Sequence, residues 1–205
     1  MGPRFADIAF TPAVRAMQET MGSRQAYARL EGPAATHDVF GESEASFIAG
    51  RDSFYLASGG ETCWPYIQHR GGPPGFVRVL DEKTIGFADF RGNRQYITQG
   101  NLSDNAKAHL FLIDYAHKRR VKIWGTARVV EGDTELVAKL MPKDYRARPE
   151  QAILFTVSAW DANCEQHIPV RYEEADVDAA LAEAGRRLAA LEAEVQRLKA
   201  LTGSE

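Results

Sequence analysis

Apolar and polar positions change their rhythm twice along this chain, and the changes mark out three parts. Residues 1–42 read as a short helix over 12–21 followed by a polar linker, with Gly32-Pro33 breaking any regular structure. A second helix is predicted from Ser43. Ser43 caps it, Glu44 favours its positive end, and Phe47, Ile48 and Arg51 recur at helical spacing. The pattern then switches to strands at 53–58, 64–70, 76–80, 84–89, 108–115, 121–130 and 153–160. Gly59-Gly60 separates the first two, and Asp81-Glu82-Lys83 forms a hairpin turn between the third and fourth. Helices are predicted at 93–105 and 134–141, the second stopped by Pro142. Short strands with tight turns and few helices between them point to an antiparallel barrel rather than a doubly wound sheet. The expected class is mainly β (α+β).

The tail, residues 173–205, has a third rhythm. Val177, Leu181, Ala184, Leu188, Leu191, Val195 and Leu198 alternate by four and three, with Glu, Arg and Lys around them. This heptad seam predicts a helix that either lies on its own barrel or forms a coiled coil pairing two subunits. The narrow apolar stripe and charged flanks favour pairing. The expected organisation is thus an N-terminal helix and linker (1–42), a barrel (43–172) and a coiled-coil-like helix (173–205).

At 205 residues the chain suffices for one domain with appendages. A net charge of −3 excludes a nucleic-acid-coating role. No segment approaches the ~20 apolar residues of a membrane span, and no export signal is seen. Cys63 and Cys164 lack any metal-ligand pattern and are expected to be free thiols in the cytoplasm. Neither a P-loop, a Gly-x-Ser-x-Gly elbow nor GxGxxG occurs, and no His lies at zinc-ligand spacing from Asp, Glu or Cys.

The stretch from Trp64 to Tyr96 carries the chemistry. Arg70 precedes Gly71-Gly72-Pro73-Pro74-Gly75, and Arg91 and Arg94 bracket Gly92-Asn93. Each arginine alone reads as a solvated strand-end charge. Three within about 25 residues, beside Gly and Asn, point instead to a phosphate site. Guanidinium groups grip an anion bidentately, Gly admits close backbone approach, and Asn93 is expected to cap a helix whose positive end favours the anion. Gln68 and His69 must lie on opposite strand faces. Tyr66, Phe87, Phe90 and Trp160 are core candidates, a subset of which would stack on a planar ring.

Taken together, these segments resemble the pyridoxamine 5′-phosphate oxidase-like family of FMN-binding split barrels, in particular its bacterial oxidase-related members. The resemblance covers about residues 43–170. Its most specific pieces are Phe54-Tyr55-Leu56-Ala57, Trp64-Pro65-Tyr66-Ile67-Gln68-His69-Arg70-Gly71-Gly72, the run from Gly86 to Tyr96, and Asn163-Cys164-Glu165-Gln166-His167-Ile168. Residues 105–115 and 119–125 match its central strands. The resemblance implies an antiparallel split β-barrel and FMN at a homodimer interface. It places Gln68, His69 and Arg70 along the flavin ring and ribityl chain, Ala88 and Asp89 on the next strand's contacts, and Asn93, Arg94 and Gln95 at the phosphate. Gln95 stands where the family has a cation, and Arg91 would supply the missing charge. Arg120 falls near the pyrimidine edge, and Trp160, Gln166 and His167 would reach the cofactor of the opposite subunit.

Tyr145 and Arg148-Pro149 echo the family's substrate-phosphate segment, but its Ser-Gln is absent and the heptad helix replaces its usual ending. The resemblance therefore implies an FMN-dependent oxidoreductase taking a hydride from a small-molecule reductant or substrate, rather than a vitamin B6 oxidase. No catalytic acid or base is nominated. The alternatives are a flavin-binding or sensing protein without turnover, or a split barrel for haem, with His69 or His167 as axial ligand, or for deazaflavin F420.

Overall fold

A computed structural model of the chain describes residues 5–32, 37–163 and 165–203. The chain divides into two compact units. The first is the chain up to Asp114 with Arg119–Glu165, and the second is Tyr115–Lys118 with the chain from Gln166 onward.

The first unit is built on one antiparallel sheet. Its strands are β1 (Ser53–Ser58), β2 (Tyr66–Gly71), β3 (Val77–Asp81), β4 (Thr84–Phe90), β5 (Lys107–Asp114), β6 (Arg119–Val130) and β7 (Pro149–Asn163), in the order β2-β1-β5-β6-β7-β4-β3. The alternation legible in the sequence is the reason. Phe54 and Leu56 of β1, Leu110 and Leu112 of β5, Val121 and Ile123 of β6, and Ile153, Phe155 and Val157 of β7 all point to one face and are buried. That face curls on itself. Phe54 of β1 meets Phe87 of β4 edge-to-face at 5.1 Å between centroids, although three strands separate β1 from β4 in the sheet. The result is a split barrel filled by its own side chains.

The β6–β7 ladder shifts register at Trp124 and Gly125, where β7 bulges by one residue, Ser158. A Cβ on Gly125 would sit 2.1 Å from the Thr156 carbonyl oxygen, so only glycine lets the two backbones come this close.

Helices cover the outside. In α4 (Glu42–Ala49) Phe47 and Ile48 join the barrel core. Its cap lies upstream of the expected Ser43: Gly41 is the N-cap, and Glu44 accepts from the Gly41 N–H at 3.0 Å. The expected helix at 12–21 is α2 (Pro12–Thr20), capped by Thr11. It is flanked by α1 (Phe5–Ala9), α3 (Arg24–Ala28) and a 3₁₀ turn, Arg29–Glu31, none of which was legible. Phe5 of α1 packs on Trp124, covering the outer face of β6 and β7. α6 (Thr134–Leu140), capped by Asp133, buries Leu140 against Ala88 and Ala152. α5 (Ile97–Asp104) starts four residues later than expected. Asn93 does not cap it but accepts from the Gln95 N–H at 3.3 Å in a local turn, and Tyr96, in the left-handed region at φ 54°, is the N-cap.

The second unit contains α7 (Glu174–Thr202), the expected heptad helix. Every described side chain of α7 is exposed. Arg171 lies over the Tyr115 ring at 4.3 Å. Among the described residues, no helix is long and apolar enough to cross a membrane. Cys63 is an exposed free thiol, and Cys164 lies outside the described residues. The linker residues 33–36 likewise lie outside them.

Candidate functional site

Two strands that are far apart in sheet order supply the centre of the site. Arg70, near the end of edge strand β2, donates through Nη1 to the carboxylate of Asp89 on β4. Both side chains are buried, with 12% and 4% of their surface exposed. Asp89 Oδ2 also accepts from Gln99 Nε2 of α5 at 2.7 Å and from Gln151 Nε2 of β7 at 2.9 Å. Three donors thus converge on one carboxylate, which offsets much of the cost of burying it. The other two guanidinium nitrogens of Arg70, Nε and Nη2, are buried and have no hydrogen-bond partner. Leaving charged donors unsatisfied is costly, on the order of 1–3 kcal/mol or more each.

These groups line a cleft of about 270 Å³ at the seam of the barrel. Gln68 lines it from β2, and its Oε1 accepts from the Thr98 hydroxyl at 2.7 Å. With the carbonyl so engaged, the amide nitrogen is the end left to donate. Asn93 and Arg94 line it from the loop between β4 and α5. Arg94 Nε donates to the Tyr96 hydroxyl at 3.0 Å, and that hydroxyl donates to Glu150 at 3.2 Å. Arg94 and Tyr96 both have positive φ, 64° and 54°. Two non-glycine residues in the left-handed region within three positions store on the order of 1–3 kcal/mol each, a strain that gathers at binding sites.

The structure separates the remaining sequence candidates. Gln68, Arg70, Asp89, Asn93 and Arg94 share the cleft. Asp89, expected as a ligand contact, is saturated by protein donors and serves to hold Arg70. Arg91, expected to replace a missing cation, instead faces Glu150 at 3.6 Å and does not line the cleft, nor does exposed Gln95. The methyl group of Ala88 is buried beneath α6 on the opposite face of β4. His69 projects from the outer face of β2 beside Tyr55, at 5.6 Å between rings, and Arg120 shares that outer face two residues from Lys122. Trp160 is held by the segment before α4. Its Nε1 donates to the Val39 carbonyl at 2.8 Å, and its ring stacks on His37 at 4.4 Å. Gln166 and His167 belong to the second unit, where both are exposed in a turn.

Burial pulls the imidazole of His109, on the outer face of β5, down to about 4, and the neighbouring Lys122 ammonium adds to the effect. No cluster of His, Cys, Asp and Glu able to hold a metal occurs among the described residues.

The family model for pyridoxamine 5′-phosphate oxidase matches residues 40–164, well over half of the chain. The chain belongs to this family. Among solved structures, HupZ of Group A Streptococcus is similar with a TM-score of 0.50 at 16% identity, over 65% of this chain and 100% of HupZ. An FMN-binding protein from Syntrophomonas wolfei is similar at 12% identity and a TM-score of 0.48, over 72% of this chain and 97% of its own. The FAD binding protein from Mycobacterium smegmatis is similar at 13% identity and 0.41, over 61% and 95%. No curated protein matches significantly. The likeness to HupZ is one of fold.

Within this pyridoxamine 5′-phosphate oxidase-family barrel, sequence reasoning missed Gln99, Gln151, Tyr96, Thr98 and Glu150. Only register could have found Gln151, which lies directly across from Asp89 in the β4–β7 ladder. Nothing local marks the others.

Proposed function

We propose that the chain is an FMN-binding flavoprotein whose cleft at the barrel seam takes the cofactor's phosphoryl end. One observation carries this reading: Arg70 is pinned by Asp89 yet keeps two buried, unpartnered donors beside Arg94, Gln68 and the first turn of α5. A dianionic phosphoryl group suits those donors, because it supplies several acceptor oxygens and opposite charge at once. The cleft volume of about 270 Å³ falls just below the ~300–1,000 Å³ of pockets that enclose whole ligands. It suits the phosphoryl end and leaves the ring to a surface outside it. Membership of a flavin-linked family and the FMN-binding protein among the structural relatives support the same ligand.

When bound, FMN supplies hydride or electron transfer, and the protein's part is to hold and orient it. Arg70 and Arg94 neutralise the phosphoryl charge, the Gln68 amide donates beside them, and Asp89 fixes the direction of Arg70. We assign the chain as a homodimer in which the outer faces of two barrels complete the ring site. The apolar outer face of β2, β1 and β5 supports this. Ile67 there is 64% exposed, and Tyr55, in register with Phe111 on one side and His69 on the other, shares the face. His69 and Arg120 lie on this face, and Trp160, Gln166 and His167 of a second copy would reach the flavin. The reading includes a reducing cytoplasm, where Cys63 stays a thiol.

A second reading, a flavin carrier without turnover, is favoured by the cleft's two carboxylates. Asp89 and Glu150 are both tied to protein donors, so neither is free to act as a base.

The decisive measurement is the absorbance of purified protein and the mass of the ligand released on denaturation, with FMN expected. Protein that stays colourless and binds no added FMN overturns the assignment. Rapid bleaching by NAD(P)H would mark an oxidoreductase, and its absence a carrier.

A further inference from the structure

The second unit holds a surface that flavin binding leaves unexplained. At about 44 Å, α7 is a long helix, and all its described side chains are exposed, including the apolar seam from Val177 to Leu198. Helices gain most of their stability by burying such a face, and a period of 3.5 residues selects another helix of the same pitch as the cover. Beside the first two turns of α7 lies a mainly apolar hollow of about 570 Å³, lined by Ala116, His117, Tyr172, Asp176, Val177, Ala180 and Leu181. At the other end of the helix Leu201 is 73% exposed, off the seam by one flanking position.

We propose that α7 pairs antiparallel with α7 of a second copy, and that Leu201 of each copy covers the hollow at the start of the other. In that register Leu181 faces Leu198, Ala184 faces Val195 and Leu188 faces Leu191. The flanking positions bring Arg187 to Glu194 and Asp178 to Lys199, with no like charges opposed. Ala180, in the hollow's lining, then meets Leu201. A parallel pair matches as many charges, Arg187 with Glu192 and Glu194 with Lys199. It leaves Leu201 and the hollow in water, and that difference selects the antiparallel arrangement. The inference does not depend on the flavin assignment.

Cysteine crosslinking of the full chain tests it, on a background carrying Cys63→Ser and Cys164→Ser. Leu181→Cys, Leu198→Cys and the double variant are treated with a short bismaleimide, after circular dichroism confirms that each retains the helical signal of the background. Positions 181 and 198 lie about 25 Å apart on one helix, so they cannot be joined within a copy. Antiparallel pairing gives covalent dimers from the double variant and none from either single variant. Dimers from each single variant would establish parallel pairing and overturn the seat for Leu201. Monomers throughout would overturn pairing by α7, whatever the barrels do and whether or not FMN is bound. Leu188→Glu with Leu191→Glu supplies a second readout: loss of helical signal at unchanged barrel melting is expected, and an unaltered helix overturns the proposal.

Discussion

Arg70 and Asp89 join the first and the sixth strands of a seven-strand sheet, and their ion pair closes the seam of the barrel. The same pair leaves two of the three Arg70 nitrogens, Nε and Nη2, buried and unpartnered. The pair that closes the fold is thus the one that leaves these donors unmet. Removing Asp89 leaves a buried guanidinium with no counter-charge, a loss of about 3–5 kcal/mol. Asp89→Ala is expected to lower the melting temperature and to weaken flavin retention. An unchanged melting curve would show that the pair does not close the seam.

Mass action gives a second expectation. If a phosphoryl group satisfies Arg70, FMN added at about a hundred times its Kd should stabilise the fold by about 2.7 kcal/mol. Arg70→Met should lose that gain while keeping its aliphatic bulk. Equal shifts of melting temperature in both proteins would move the phosphoryl site elsewhere.

Arg94 and Arg91 should behave differently although only Gly92 and Asn93 separate them. Arg94 lines the cleft, whereas Arg91 does not and meets only the rim carboxylate of Glu150. Arg94→Ala removes a charge-assisted contact to the phosphoryl group. FMN affinity, read by fluorescence titration, should fall roughly ten- to a hundredfold. Arg91→Ala should leave it within about twofold, as expected for a lost surface pair.

Gly125 should not tolerate a side chain. The obstacle is the Thr156 carbonyl oxygen, 2.1 Å from where a Cβ would stand, and neither backbone can move without breaking the β6–β7 ladder. Gly125→Ala is expected to cost about 1–3 kcal/mol, as overpacking does, measured by denaturant unfolding.

Acid should weaken the fold through His109. Its value in the folded chain, about 4, lies below the ordinary 6.5, so folding favours the neutral ring. Stability from this group is fully present above 6.5 and is lost as pH falls toward 4. His109→Phe should flatten the denaturation midpoint across that interval. The same slope in both proteins would assign the acid loss to other groups.

The sequence by itself determined the strands, because alternation of buried and exposed side chains survives in β1, β5 and β6 with bounds close to those expected, and in β7, which extends beyond the expected 153–160 at both ends. It determined the heptad helix, whose period is local, and it gathered Arg70, Asn93 and Arg94 into one neighbourhood together with Arg91, which does not line the cleft. Alternation names two faces without saying which one closes. Only the curled sheet decided that Gln68 and Arg70 face the cleft while His69 faces outward. Only register set Gln151 against Asp89, and only the path of the loop before α5 turned Asn93 from a helix cap into a local turn. Those outcomes depend on strands that meet 19 to 62 residues apart along the chain, and contacts at such separations leave no periodic trace in the order of the amino acids.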